Sequence, residues 1–492
     1  MDVAMLMPPI TVRGMTQLDK NAFQKQIYVP ILKIPGLQAN ALIKQLKSKL
    51  LKLDHMKPIQ IPTDAVDSRE ILLNPLLVKN QEDVQEQINE FLNSNPEVPL
   101  TYDKKSIKIC YENWKSEDIL RSVLPEDKEG ATSYSLIGHI LHLNLKEHLQ
   151  PYRDLIGQVL LDKTPNVTMV VNKTNTIDST YRNFEMEILA GEGSTVTTVK
   201  ENNCKFTLDF AKVYWNPRLG TEHERIVKKL KQGDVLYDVM AGIGPFTVPA
   251  GKKECYVLAN DLNPHSYEYL TANVKANKVT EKIKCYNMDG HQFIKTILKE
   301  DLLSRWKDNN FCGRIHVTMN LPKCAVEFLP SFLGLINKSE LPEGMRIEEN
   351  IGIDENLLPL IHVYMFTPDS DPDTALSLVA QHLGYTVTKE IKDIDDASNN
   401  ENSNVTSQKT KTTVDENTIE NEPPNKLAKD DLDNFSQIRS HISEVIFVRR
   451  VAPNKVMMRV SIKLSCHMIL NTENENEPPF KKAKIIDSEV VR

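Results

Sequence analysis

The order of strand-like and helix-like runs over residues 216–465 predicts an α/β fold with a doubly wound sheet of seven strands, the last antiparallel. Three observations carry this. DVLYDV, CYVLAND, KIKCYNMD, RIHVTMN and LIHVYMF have the composition of short buried strands. Helical patterns separate them: NPHSYEYLTANVKANK, GHQFIKTILKEDLL, CAVEFLPSFLGLIN and DTALSLVAQHLG. Finally, SEVIFVRRVAPNKVMMRVSIKL reads as two strands about the turn APNK. A lone hairpin is marginal in water, so this one must extend the sheet built upstream.

The remaining segments follow in order. Residues 1–150 mix helices and strands and read as an α+β N-terminal region. Within it ANALIKQLKSKLLKLDHMK sets Leu42, Ile43, Leu46 and Leu50 on one helical face, with Lys44, Lys47 and Lys52 on a solvated one. Residues 151–215 read as a β-rich middle module, from GQVLLD through TMVVNK and FEMEILAG to STVTTVKENNCKFTLDFAKVYW. Residues 393–440 are rich in Asn, Asp, Glu, Ser and Thr. They cannot bury enough apolar surface to offset ordering entropy, and read as a disordered acidic insertion within the last domain. Residues 466–492 read as a flexible tail. ENEPPFKKAK in the tail repeats ENEPPNKLAK of the insertion and has a weak likeness to a basic nuclear signal.

A chain of 492 residues has room for two or three domains. No window reaches the length of apolar sequence that spans a bilayer. The first residues, MDVAMLMPPITVRG, resemble neither a secretory signal nor a mitochondrial leader. Seven cysteines without a CxxC pair point to a reducing compartment, away from a disulfide frame or a zinc site. The net charge is −7, all of it contributed between Asp393 and Asp433, so the rest of the chain is balanced. Basic surface for a nucleic acid must then come from local clustering.

The chemistry centres on DVMAGIGPF. No Gly-Lys-Ser/Thr follows Gly244, which excludes a P-loop, and Thr247 stands where a dinucleotide fold wants a third small residue. The shorter pattern Asp238-x-x-x-Gly242-x-Gly244 suits a ligand without a pyrophosphate, with Asp238 free to meet an ammonium or water at its tail. Asp261 closes the next strand, where a carboxylate accepts ribose hydroxyls, and Asp289 closes the third, within reach of an adenine amino group. An adenosine with an amino-acid tail, S-adenosylmethionine, fits all three. The competing account is a glycine turn with three helix-capping aspartates. Asn320-Leu321-Pro322 ends the fourth strand where methyltransferases acting on base nitrogens carry an Asn-Pro-Pro-aromatic loop; Leu321 and the missing aromatic depart from it. Thr221-x-x-Glu224 reads as a capping box, which puts Glu222 in the first helical turn, where the macrodipole favours an acid.

Taken together, RNFEMEILAG, NPRLGTEHERI, DVMAGIGPF, NDLNP, MDG, MNLP and VAPNKVMMRVS resemble the archaeal–eukaryotic tRNA (guanine(37)-N1)-methyltransferase family, over about residues 18–465. The resemblance implies a class I methyltransferase domain that methylates N1 of the guanine 3′ of the anticodon, with the preceding regions helping to hold tRNA. It implies Glu222 as general base, Arg182 facing the guanine oxygen and Arg218 orienting the base. Further contacts to S-adenosylmethionine are implied for His223, Gly242, Asp261, Leu262, Asp289, Gly290 and Asn320, the last also catalytic. The chemistry suits these types: a carboxylate can take the N1 proton, and an arginine answers charge developing on O6. No metal is called for. A monomer is expected, in cytoplasm, nucleus or mitochondrial matrix. Two alternatives stay open: a related aminocarboxypropyl transferase of wybutosine synthesis, and a non-catalytic RNA-binding module that keeps the fold.

Overall fold

The computed structural model describes residues 3–62, 65–126, 130, 133–177, 184–341, 357–385 and 438–471. Arg182, the insertion up to residue 437 and the tail beyond residue 471 lie outside the described residues. The chain divides into two compact units, one comprising residues 1–178 and 183–197, the other residues 179–182 and 198–492.

The first unit contains two four-stranded sheets. One is built from β1 (Lys25–Pro35), β2 (Ile59–Gln60), β3 (Ser68–Leu72) and β4 (Thr101–Ile109), in the order β2-β3-β1-β4 and antiparallel throughout. The other runs β5 (Tyr134–Ile137), β6 (Ile140–Leu143), β7 (Met169–Ile177), β8 (Phe184–Gly191) in chain order. The lysine-bearing stretch forms only α1 (Ala39–Gln45). Leu42 is buried on this helix and Ile43 half-buried; Leu46 and Leu50 are buried too, but beyond the helix, Leu46 at its C-cap and Leu50 in a bridge with Leu73, so the expected single helical face does not extend to them. Further on come α2 (Gln85–Ser94), α3 (Ser116–Val123) and α4 (Arg153–Lys163). The last of these corrects the strand expected at GQVLLD. Leu155, Ile156, Val159 and Leu160 are all buried, a spacing of one helical face, and the six-residue string is too short to reveal that period.

β9 (Val196–Glu201), which begins at the end of the first unit, and β10 (Cys204–Asp209) pair about Asn202 and Asn203, both at positive φ as a tight hairpin turn demands. α5 (Gly220–Lys229) leads into the main sheet. Its seven strands are β11 (Val235–Asp238), β12 (Tyr256–Asn260), β13 (Ile283–Tyr286), β14 (Ile315–Met319), β16 (Leu360–Thr367), β17 (Ile442–Ala452) and β18 (Lys455–Lys463). A short β15 (Ile336–Asn337) pairs elsewhere. The order is β13-β12-β11-β14-β16-β18-β17. The first five run parallel, and β18 inserts antiparallel between β16 and β17. The hairpin therefore joins the sheet built upstream. β11 and β14 are buried along their whole length, the mark of a sheet covered on both faces. Covering helices include α6 (Thr247–Lys252), α7 (Pro264–Ala276), α8 (Gly290–Phe293), α9 (Lys299–Lys307) and α10 (Pro372–His382). Between α9 and α10, Ala325–Phe332 winds as a 3-10 helix with Pro330 inside it, where a missing N–H disfavours the expected α-helix.

Candidate active site

The carboxyl ends of the parallel strands are stitched into one rim. Asn260, at the end of β12, donates its side-chain N–H groups to the Val239 and Met288 carbonyls at 3.1 and 3.0 Å, and its side-chain oxygen accepts from Met288 N at 3.1 Å. That single buried amide ties together the ends of β11, β12 and β13. Phe366 N donates to the Pro322 carbonyl at 3.1 Å, fixing the loop after β14 to the end of β16. Ligands of doubly wound sheets bind at this edge.

The glycine loop begins at Asp238, which the structure reassigns. Asp238 is fully buried, and both carboxylate oxygens accept hydroxyl protons, from Thr247 at 2.7 Å and Thr318 at 2.8 Å. Burial pushes its carboxyl up to about 6, against the pull of those two hydroxyls. It braces the loop from within. Gly242 and Gly244 stand at φ +56° and +99°, the left-handed region where glycine is favoured. A Cβ on Gly244 would strike Leu270 at 2.8 Å, whereas one on Gly242 would meet nothing within 4 Å. Gly244 is thus a packing glycine, and Gly242 faces open space.

Asp261 is half-buried. Its Oδ2 accepts from Gly242 N at 2.8 Å and its Oδ1 from Asn263 N at 2.9 Å. Withdrawal from water raises its carboxyl, while these two N–H groups oppose the rise. Leu262 beside it is 51% exposed. Asp289 is exposed and caps α8, accepting from Gln292 N at 3.1 Å. Gly290 is buried against the Phe328 ring, 2.7 Å from where its Cβ would stand. Asn320 Oδ1 is buried with no hydrogen-bond partner among the described residues. Open space at Gly242 and an unsatisfied acceptor at Asn320, at adjacent strand ends, fit an adenosyl ligand laid along the rim.

Glu222 lies in the first turn of α5, only 3% exposed. The helix starts at Gly220, so Thr221 is inside it and the capping box does not form; Asn216 instead caps the preceding turn, accepting from Arg218 N at 3.1 Å. Glu222 Oε1 accepts from Tyr364 Oη at 3.0 Å and from Arg459 Nε at 2.7 Å, and Oε2 accepts from Arg225. Arg459 is fully buried and also donates to Glu444 at 2.9 Å. Next along the helix, His223 Nδ1 lies 2.7 Å from Glu201 Oε1, and its ring meets Phe246 of the glycine loop edge-on. Phe246 in turn packs against Tyr364 at 6.2 Å. Glycine loop and acid are therefore joined by one aromatic chain.

Comparison with known proteins bears on this arrangement. The description "TRM5/TYW2 methyltransferase domain" matches residues 197–341, and "TYW2 N-terminal domain" matches residues 116–195. A tRNA (guanine(37)-N(1))-methyltransferase of Drosophila pseudoobscura is 42% identical over 100% of this chain and 97% of its own length. One from Drosophila melanogaster is 44% identical over 98% of this chain and 92% of its own. The chain belongs to the tRNA (guanine(37)-N(1))-methyltransferase family. Its fold is also similar to Trm5b from Pyrococcus abyssi, with TM-score 0.52 and 20% identity over 89% of this chain and 99% of that one. A solved complex of aTrm5 and tRNALeu gives TM-score 0.53 at 21% identity over 88% and 99%.

Within this family member, the rim gathers Gly242, Asp261, Leu262, Asp289, Gly290 and Asn320 at successive strand ends, and α5 supplies Glu222 and His223. Arg218 is exposed in the turn before α5. Arg182 lies outside the described residues. Two side chains at the heart of the site escaped the sequence reading: Tyr364 and Arg459. They face each other across the β16–β18 pairing. The signal was legible: an arginine within the apolar run VMMRVS must find a buried acid. Among the described residues, no group of three or more His, Cys, Asp or Glu side chains could hold a metal. No described helix is long and apolar enough to cross a membrane.

Proposed function

We propose that this protein transfers a methyl group from S-adenosylmethionine to N1 of the guanosine at tRNA position 37, giving 1-methylguanosine. The observation that carries the proposal is the likeness, over essentially the whole chain, to relatives of that activity. The site's chemistry supports it. S-adenosylmethionine, when bound, supplies an electrophilic methyl group on a sulfonium. Gly242 gives it room, Asp261 accepts its ribose hydroxyls with the lone pairs left over from the loop contacts, and Leu262, Asp289 and Gly290 border the adenine. His223 and Asn320 complete the contacts, with Asn320 Oδ1 finding its donor there.

Glu222 takes the N1 proton of the guanine. Burial shields the acid from bulk water, so proton transfer goes to the bound base. Arg182 answers charge developing on O6, and Arg218 orients the base. Residues 1–150 and the module 151–215 hold tRNA, and residues 216–465 carry the chemistry as a monomer. The experiment is transfer of a labelled methyl group to unmodified tRNA, followed by nuclease digestion and mass spectrometry. One label on N1 of guanosine 37, lost when that base is replaced by adenosine, is expected. An aminocarboxypropyl adduct would point to the TYW2-type reaction that shares the matched domain, and no product would leave an RNA-binding role.

A further inference from the structure

Behind Glu222 runs a buried polar chain that the proposed chemistry has not yet used. Arg459 Nη1 donates to Ser461 Oγ, Ser461 lies 2.8 Å from His362 Nδ1, and His362 Nε2 lies 3.1 Å from His316 Nδ1. The imidazoles are stacked at 5.4 Å, and His316 Nε2 approaches Asp234 at 3.8 Å. All of these residues are at most 3% exposed. A fully buried guanidinium needs a reason, because desolvating it costs several kcal/mol unless its partners are well placed. Arg459 has partners for Nε and Nη1 in Glu222, Glu444 and Ser461, while its buried Nη2 has none among the described residues.

We infer that Arg459 and Tyr364 are positioning residues for the base: they saturate Glu222 Oε1 and so dedicate Oε2 to the N1 proton. The inference rests on the reading of Glu222 as base. Oε1 already takes two donors from two strands, Tyr364 on β16 and Arg459 on β18. Among the described residues Oε2 is held by Arg225 alone, one turn along its own helix and 39% exposed, a partner that can swing away. In the reaction the N1–H bond breaks and the proton goes to Oε2. The electron pair left on N1 forms the bond to the incoming methyl, and the electrons of the broken carbon–sulfur bond stay on sulfur. Burial, then the neighbouring Glu222 charge, keeps the Tyr364 hydroxyl protonated, so it stays a donor. Among the described residues, the ionisable groups bonded to Glu222 are Arg225 from its own helix, Tyr364 from β16 and Arg459 from β18. Asp238 lies beyond Tyr364; Glu444, Lys229 and the neutral His362 lie behind Arg459.

Two variants of the full-length protein test this by single-turnover methylation across pH. Tyr364→Phe keeps the ring that packs on Phe246 and removes only the donor; Arg459→Met removes the charge. Both are expected to lower the plateau rate, Arg459→Met by about tenfold or more out of the roughly 10²–10⁴ a general base contributes. Affinity for S-adenosylmethionine stays unchanged. The acidic limb moves to higher pH, by about one unit or more for Arg459→Met, because the ionised carboxylate loses its cation. Arg459→Lys restores part of the rate and the limb. If Arg459→Met unfolds, Tyr364→Phe alone decides, with a smaller shift in the same direction. Rates that fall with no movement of the limb, or variants indistinguishable from wild type, overturn the inference. Wild-type protein that makes no 1-methylguanosine overturns the underlying reading instead.

Discussion

Glu222 could serve as a base or as a helix-start charge, since each role uses a carboxylate in the first turn of α5. A helix-start acid is worth about 0.3–1 kcal/mol and leaves turnover alone, whereas a general base contributes about 10²–10⁴ in rate. Glu222→Gln keeps the shape and accepts from Arg459, but cannot take a proton. Single-turnover methylation is expected to fall by about 10² or more, with tRNA and cofactor binding near wild type. A rate within about threefold of wild type would return Glu222 to a purely structural role. Asp261 illustrates a different overlap. It was read as a ribose acceptor, and the structure shows it also clamping Gly242 N and Asn263 N. Ala would therefore release the loop as well as the ligand. Asp261→Asn drops the charge and keeps one acceptor oxygen, so it retains one backbone clamp and sets an amide NH2 against the other N–H. Calorimetry should show S-adenosylmethionine affinity reduced by about tenfold or more, the worth of one charge-assisted bond, with a melting temperature lowered less than in Asp261→Ala. Unchanged affinity would remove Asp261 from the cofactor site. The positions of Asp261 and Asp289 were legible because aspartates at strand ends announce themselves by position. The Glu222–Tyr364–Arg459 contacts were not, since they link residues far apart in sequence through a strand pairing.

Strands of the central sheet read easily, and the reason is local: β11, β14 and β16 are short, mostly apolar runs with a polar residue at or just past the end, Asp238, Asn320 and Thr367. What resisted was anything decided by neighbours. GQVLLD folds as part of α4 because its wider window has helical spacing. The polar residues inside β14, β16 and β18 also resisted, since His316, His362 and Ser461 look like interruptions until the strands are laid side by side in register. Their burial has a thermodynamic consequence. Burial lowers His316 from 6.5 to about 4, and lowers His362 too, next to His316 and Arg459. The unfolded chain then binds protons that the native sheet refuses. For a depressed histidine the stabilisation is full above the unfolded value of 6.5 and is lost as pH falls towards about 4. For His316 alone this amounts to about 3 kcal/mol across that window. Melting temperature followed from pH 7 to 4 should drop steeply in wild type. It should drop less in His316→Asn, whatever that variant's stability at pH 7. Parallel curves would show that the stacked pair does not set the acid limit of the sheet.

At the scale of the whole molecule the difficulty is charge. A tRNA substrate is a dense polyanion, yet the chain is net negative at −7. Because that excess is confined between Asp393 and Asp433, binding must rely on basic patches. One such patch is the edge strand β17. Arg450 is exposed, Arg449 is partly exposed and has its charge disfavoured by burial and by nearby Arg218, and Phe447 beside them is 47% exposed. Arginines on an exposed edge strand can receive phosphate oxygens, and an exposed ring can stack on a base. Counterion release makes this measurable, since each phosphate neutralised contributes about −0.7 to −0.9 to the slope of log affinity against log salt. Wild-type tRNA affinity is expected to fall steeply between low and moderate salt. Replacing Arg449 and Arg450 with Ala should weaken binding at low salt and flatten the slope by about one to two units, while S-adenosylmethionine binding stays as it was. A slope unchanged by the double substitution would move the phosphate contacts to the lysines of the first unit. A wild-type slope near zero would mean that tRNA is recognised without an electrostatic footprint, through stacking and base contacts alone.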